Sequence, residues 1–276
     1  MSRNRTRLGA ARLIAGVIAV VAAGALAAIP VSQTVDAQAD MALSQAGLPT
    51  DMFPWQGIAA RDTLRRIIGG LARTTPAHGT YTYIHLHRWP ADPALGALPS
   101  AVEEIKAWRA ADGSGSRSST IVGQPGTRYE SGGLPMTTGN PATMPEVLAG
   151  QLDHYSRQLR LRMPETVGIM NEQMCLTSEQ RTATLQVLAD TGGLLYLGRV
   201  KDRSGRDGVA FAMTGQDNQG ADVRDILIFD ESSGELFSYE QQAAVLSART
   251  QTRPAAVLSY VLYLECGHTD YQGQTP

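Results

Sequence analysis

Two stretches late in the chain decide the reading of the fold: LLYLGRVKDRSGRDGVAFAM (Leu194–Met213) and ADVRDILIFDESSGELFSYE (Ala221–Glu240). Each runs from apolar residues through a cluster of Asp, Ser, Arg and Gly into a second apolar run. That is the signature of a β-hairpin, with turns at Asp202–Gly208 and Glu231–Gly234. Ile226, Leu227, Ile228 and Phe229 are consecutive and apolar, which predicts a strand buried on one or both faces. PAAVLSYVLYLECG (Pro254–Gly267) supplies a final strand through Val257, Ser259, Val261 and Tyr263. The last third is therefore a mainly antiparallel sheet.

Further back, HGTYTYIHLHRWP (His78–Pro90) alternates strictly. Tyr81, Tyr83, His85, His87 and Trp89 fall on one face of a strand, and Thr82, Ile84, Leu86 and Arg88 on the other. VEEIKAWRAADGSGSRSSTIV (Val102–Val122) reads as two more strands about an Asp112-Gly113 turn. Residues 123–145, rich in Gly, Pro and Thr, read as a long loop or ragged edge able to move.

Helical periodicity marks three places. From Phe53 to Arg73, Ile58, Leu64, Ile67, Ile68 and Leu71 make an amphipathic stripe that Thr75-Pro76 stops. MPEVLAGQLDHYSRQLRLR (Met144–Arg162) puts Leu148, Leu152, Tyr155 and Leu159 on one face. TSEQRTATLQVLADTGG (Thr177–Gly193) opens with Thr177 and Gln180 at capping-box spacing and closes on two glycines. PETVGIMNEQMC (Pro164–Cys175) reads as a connection between the last two. The expected fold class is α+β: a curved, half-barrel-like, mainly antiparallel sheet with helices packed over one face, preceded by one N-terminal hydrophobic helix.

That helix comes from the chain's start. MSRNRTRLGAAR (Met1–Arg12) carries Arg3, Arg5, Arg7 and Arg12 and no acid, and LIAGVIAVVAAGALAAI (Leu13–Ile29) is uncharged up to Pro30. The expected organisation is an Arg-rich cytoplasmic tail at 1–12, a transmembrane anchor or signal-peptide core at 13–30, a flexible tether at 31–50 and an extracytoplasmic α+β domain at 51–276. Ala25-Leu26-Ala27 and Ala37-Gln38-Ala39 offer cleavage patterns for a secreted alternative. The chain has 276 residues and a formal net charge of −2, so nothing in its overall charge favours nucleic acid. Two cysteines, Cys175 and Cys266, form no framework and no zinc site; two isolated thiols are the simpler reading and a disulfide the alternative.

Candidate chemistry is thin. His85-x-His87 has the spacing of a metal half-site, but its same-face neighbours on the strand, Tyr83 and Trp89, complete no ligand set, so no metal is expected. Cys266-Gly267-His268 near Asp270 places neighbouring side chains on opposite faces of a strand, and no Gly-x-Ser-x-Gly elbow occurs. Glu103-Glu104 and Asp230-Glu231 read as a solvated strand and a turn. DRSGRDG (Asp202–Gly208) and GQDNQGADVRD (Gly215–Asp225) lack the full spacing of a Ca²⁺ loop and read as turns. No catalytic residue and no cofactor is expected.

TYTYIHLHRW (Thr80–Trp89), the hairpin from Trp108 to Arg117, GRVKDRSGRDGVAFAM (Gly198–Met213) and ILIFDESSGELFSYE (Ile226–Glu240) together resemble an uncharacterised actinobacterial family of membrane-anchored proteins. Its genes often lie beside those of extracytoplasmic-function sigma factors. By layout the outer domain is similar to the LolA/RseB type, a half-open barrel that binds lipoprotein acyl chains or regulatory peptides.

The resemblance and the layout imply a non-enzymatic, membrane-tethered sensory or ligand-binding domain linked to sigma-factor signalling. Its partners would be the membrane, through the N-terminal helix, and a lipid acyl chain, a peptide or another envelope protein. Tyr81, Tyr83, Trp89, Trp108, Phe229 and Tyr263 are the expected ligand or packing face. The alternatives are an envelope protein-interaction module without a ligand cavity, and a cell-wall hydrolase.

Overall fold

The computed structural model describes residues 58–71, 78–89, 101–134, 136, 138–244 and 257–276. Its strands are β1 (Ile58–Ala59), β2 (Tyr81–Trp89), β3 (Glu103–Ala110), β4 (Ser114–Ile121), β5 (Arg128–Gly133), β6 (Leu195–Lys201), β7 (Asp207–Gln216), β8 (Asp222–Phe229), β9 (Leu236–Ala243) and β10 (Val257–Thr269). Its helices are α1 (Ala60–Gly70), α2 (Pro145–Leu159), α3 (Met163–Gln173) and α4 (Ser178–Asp190).

All ten strands join one antiparallel sheet in the order β1-β6-β7-β8-β9-β10-β2-β3-β4-β5. Two meanders, β6 to β10 and β2 to β5, are stitched together where β10 pairs with β2 from Tyr260↔Trp89 to Thr269↔Tyr81. The hairpin turns share one recipe. Asp202 accepts the backbone N–H groups of Ser204 and Arg206, Asp217 those of Gln219 and Ala221, and Asp230 that of Ser232. Each turn then closes through a glycine with positive φ, such as Gly205 at 84° and Gly220 at 78°.

The apolar face of every helix meets one face of this sheet. Leu64 and Ile67 of α1, Leu148 and Leu152 of α2, Val167 and Met170 of α3, and Leu185 and Leu188 of α4 are buried with Phe211, Leu227, Phe229 and Tyr239 of the strands. Each such side chain contributes about 1.5–3 kcal/mol on burial. The consecutive run Ile226–Phe229 is buried on both sides: Leu227 and Phe229 join the helices, while Ile226 and Ile228 form a second cluster with Ala210, Ala212 and Val200. The capping box at Thr177 forms as the spacing predicts, with Thr177 N–H on Gln180 and Gln180 N–H on Thr177.

Several expectations are corrected. The sheet is open, not half-barrel-like: β1 and β5 are its two ends and do not pair with each other. Closing it would need apolar inward residues on every strand, and SGSRSSTI of β4 and RYESGG of β5 offer neither face such a set. Residues 128–133, read as part of a long loop or ragged edge, are the edge strand β5, held by a ladder to β4 despite weak strand propensity. Residues 163–173, read as a connection, are the helix α3, which starts with Pro164 in its first turn. Its exposed-versus-buried contrast is blurred because it lies between α2 and the sheet. Ile58, assigned to the first helical stripe, sits in β1, 74% exposed. Cys175 and Cys266, preferred as isolated thiols, form a disulfide that ties the α3–α4 connection to β10.

The membrane-anchored layout is corrected as well. No helix among the described residues is long and apolar enough to cross a membrane, and residues 13–30, to which the hydrophobic helix was assigned, lie outside them. Single-pass topology and partnership with a membrane therefore lack structural support.

Candidate functional site

The six residues expected to share one lining face are divided by the sheet. Phe229 and Tyr263 point to the helices: Phe229 packs edge-on to Phe211, and the Tyr263 hydroxyl donates to the carbonyl of Gly168 at 2.8 Å. Tyr83, Trp89 and Trp108 lie on the opposite, outer face, and half-buried Tyr81 continues their row on β2. Tyr83 packs on Trp108 with centroids 5.3 Å apart, and Trp89 packs on Tyr260 at 4.9 Å. Arg203, from the β6–β7 turn, lies over the Tyr260 ring and pairs with buried Glu240. These aromatics seal packing seams.

Among the described residues, the cavity lined by Ile84, Leu176, Phe237 and Tyr263, among others, is about 60 Å³, and a more polar recess of about 380 Å³ lies between β2–β5 and the end of α3. Small-molecule sites run to roughly 300–1,000 Å³. The cup expected of a half-barrel is overturned with the half-barrel itself, because the sheet is open.

The C-terminal residues fold back over the outer face. The Trp108 indole donates to the Gln274 carbonyl at 2.6 Å, and Pro276 lies where a Cβ on Gly267 would meet it. Beside this tail a groove of about 630 Å³ runs over β3–β5, lined by Glu104, Lys106, Trp108, Ser116, Ser118, Thr120, Thr127, Tyr129 and Gln272. Its lining is largely hydroxyl and charged, because β4 alternates serine and threonine on this face.

At the groove's inner end the strands assemble a cluster that one strand's sequence does not show. Antiparallel pairing sets His87 opposite Glu104 and His85 opposite Lys106. The His85 Nε2 and Glu104 Oε1 atoms are 2.8 Å apart, and Lys106 Nζ is 3.2 Å from the same oxygen. The His85 and His87 rings are 5.9 Å apart. Partial burial pushes the Glu104 carboxyl up, but hydrogen bonds from Lys106 and His85 outweigh it and hold the group below the usual range. Burial, helped by the neighbouring His85 and Lys106, pushes His87 down against the pull of Glu104. The Tyr83 phenol is pushed up to about 12, first by burial and then by the Glu265 and Glu104 carboxylates. Glu104 is the residue sequence reasoning missed. Its alternation with Glu103 was readable, but its register against His87 is set by pairing across a connection with no tight-turn signature.

The helix-facing side of the same strands holds the other half of the acidic pair. Glu103 accepts from Arg88 at 2.8 Å and pairs with Arg117 at 3.5 Å, and both arginines line the recess of about 380 Å³ together with Arg109 and Glu172. Glu103 and Glu104 thus face opposite ways. Asp230 and Glu231 belong to a turn, Glu231 pairing with Arg66 and Arg199. Cys266 is in the disulfide and has no thiol to act as a nucleophile. Compared with known proteins, the chain matches no family model and no curated sequence.

Proposed function

We propose that the protein is an interaction module that acts by binding rather than by chemistry, and that its binding surface is the β3–β5 end of the sheet. One observation carries this reading. None of the described residues of β3–β5 joins the apolar core that the helices form with the sheet, so these strands make a polar wing whose contact with the helices includes the bond from Arg109 to the Gln173 carbonyl at the end of α3. A polar wing gains little from burial in the free chain, and sheet edges are templates for pairing with a further strand.

The wing has the features of a docking surface for an extended segment of a partner protein. β5 ends the sheet, with its residues almost all exposed, and no described strand lies beyond it. Tyr129 stands out from β5, 79% exposed, at the mouth of the groove. An added strand would find backbone partners along β5 and an amphipathic aromatic beside it, the combination used in β-augmentation. Arg128 and Glu130 on the same strand guard the edge against indiscriminate self-pairing.

The test is site-specific photo-crosslinking in the native host. A photoreactive phenylalanine replaces Tyr129, with Val147 on α2, another exposed apolar site, as the control. A discrete polypeptide adduct is expected from position 129 and not from 147. Tyr129→Glu should weaken binding of the purified adduct partner at least tenfold while leaving the unfolding midpoint unchanged, as for an exposed site. Equal labelling from both positions, or none from 129, would overturn the assignment.

A further inference from the structure

We propose that His85, His87 and Glu104 are a binding site for a late first-row divalent metal ion, with Zn²⁺ as the natural probe. Two imidazoles from alternate positions of β2 and a carboxylate from β3 offer one ligand atom each, and these atoms all lie within 4.8 Å of one another. Ligands of a tetrahedral Zn²⁺ bind at about 2.0–2.2 Å and so sit roughly 3.3 Å apart. The cluster therefore needs side-chain rotations on the order of an ångström and no backbone movement.

Placement strengthens the argument. β2 and β3 lie inside the sheet, each paired on both sides, so the backbone beneath the ligands is rigid. All three ligand residues are half-buried, which restrains their rotamers and leaves an approach from the groove. Two imidazoles and one carboxylate make a donor set of intermediate softness, suited to Zn²⁺ and its neighbours and poorly suited to Mg²⁺ or Ca²⁺. Three protein ligands leave a fourth position for water or for a donor from elsewhere.

Lys106 supplies a test of the site. Its ammonium, 3.2 Å from Glu104, already occupies the place of a cation beside that carboxylate. The lysine stem is flexible and 37% exposed, so it can swing into the groove as an ion arrives. Metal and Lys106 then compete for one carboxylate, so removing the positive side chain tightens cation binding.

The experiment uses the full chain prepared without a polyhistidine tag. Zn²⁺ is titrated calorimetrically, and Co²⁺ is followed by the visible absorption of its four-coordinate form. One ion per chain is expected, with Zn²⁺ displacing Co²⁺. His87→Ala or Glu104→Gln should weaken Zn²⁺ at least tenfold, and Lys106→Met should tighten it several-fold. Unchanged affinity in a His85→Gln/His87→Gln double variant would overturn the site. So would unchanged or weaker binding by Lys106→Met, which keeps all three ligands and reads the site even if a histidine variant fails to fold. The readout is metal binding alone, so it stands or falls separately from the partner-protein reading of the wing.

Discussion

Asp230 shows how one residue type organises this chain. Its carboxylate accepts from the Ser232 N–H at 2.9 Å and from the Ser232 and Ser233 hydroxyls, fixing the β8–β9 turn. Partial burial pushes its pKa up, but these bonds prevail and hold it below the ordinary value. A carboxyl depressed in the folded state contributes stability that is complete above its unfolded pKa and lost as pH falls through the folded one. Buried Glu240, raised by burial against the pull of Arg203, has the opposite sign: its contribution declines as pH rises through the acid range. The urea midpoint of Asp230→Asn should therefore fall less steeply than wild type below about pH 4 and lie below it at pH 7. Equal slopes would show that the turn bonds do not hold the charged form. The Asp-and-Gly clusters that define these turns were legible in the sequence, because Asx turns and left-handed glycines are local chemistry.

At the scale of elements, α3 is the instructive case. It crosses the sheet closely because residue 168 has no side chain: a Cβ there would lie 3.1 Å from Tyr239 Cγ and 3.3 Å from the Tyr263 hydroxyl. Tyr239 cannot yield freely, since its hydroxyl donates to Asp225 at 2.8 Å, and Asp225 is also held by Arg162. Gly168→Ala should thus destabilise the fold by roughly 1–2 kcal/mol in urea unfolding, overpacking outweighing the gain in helix propensity. A stabilised variant would mean that the helix can lift from the sheet at little cost. The hairpins and α2 were readable, since their periodicity reflects one buried face. α3 was not, because a helix enclosed by α2 and the sheet has no such contrast, and its Met-Pro-Glu-Thr-Val-Gly sequence is locally unremarkable for a helix. β5 was hidden for a different reason, being specified by the ladder to β4 and not by its own residues.

For the whole molecule, the closing event is the return of the chain's end to its first long strand. β10 pairs with β2 along most of its length, the disulfide pins β10 to the helical layer, and the tail covers Trp108. In a chain-entropy account a bridge spanning 91 residues contributes about 4–5 kcal/mol. Truncation before Tyr271 should uncover the Tyr83–Trp108 pair, seen as a red shift of tryptophan emission with the fold retained. An unshifted spectrum would mean that the tail is not what keeps water from the indole. Apart from α3 and β5, the amino-acid sequence by itself determined the strand and helix faces, the turns and the mainly antiparallel class, because each follows from contacts within a few residues. Only the tertiary structure decided the open order of the sheet, the division of six aromatics between two faces, the Cys175–Cys266 bridge and the meeting of Glu104 with His85 and His87. Those depend on register and on pairing between segments far apart in the chain, and no local residue pattern encodes either.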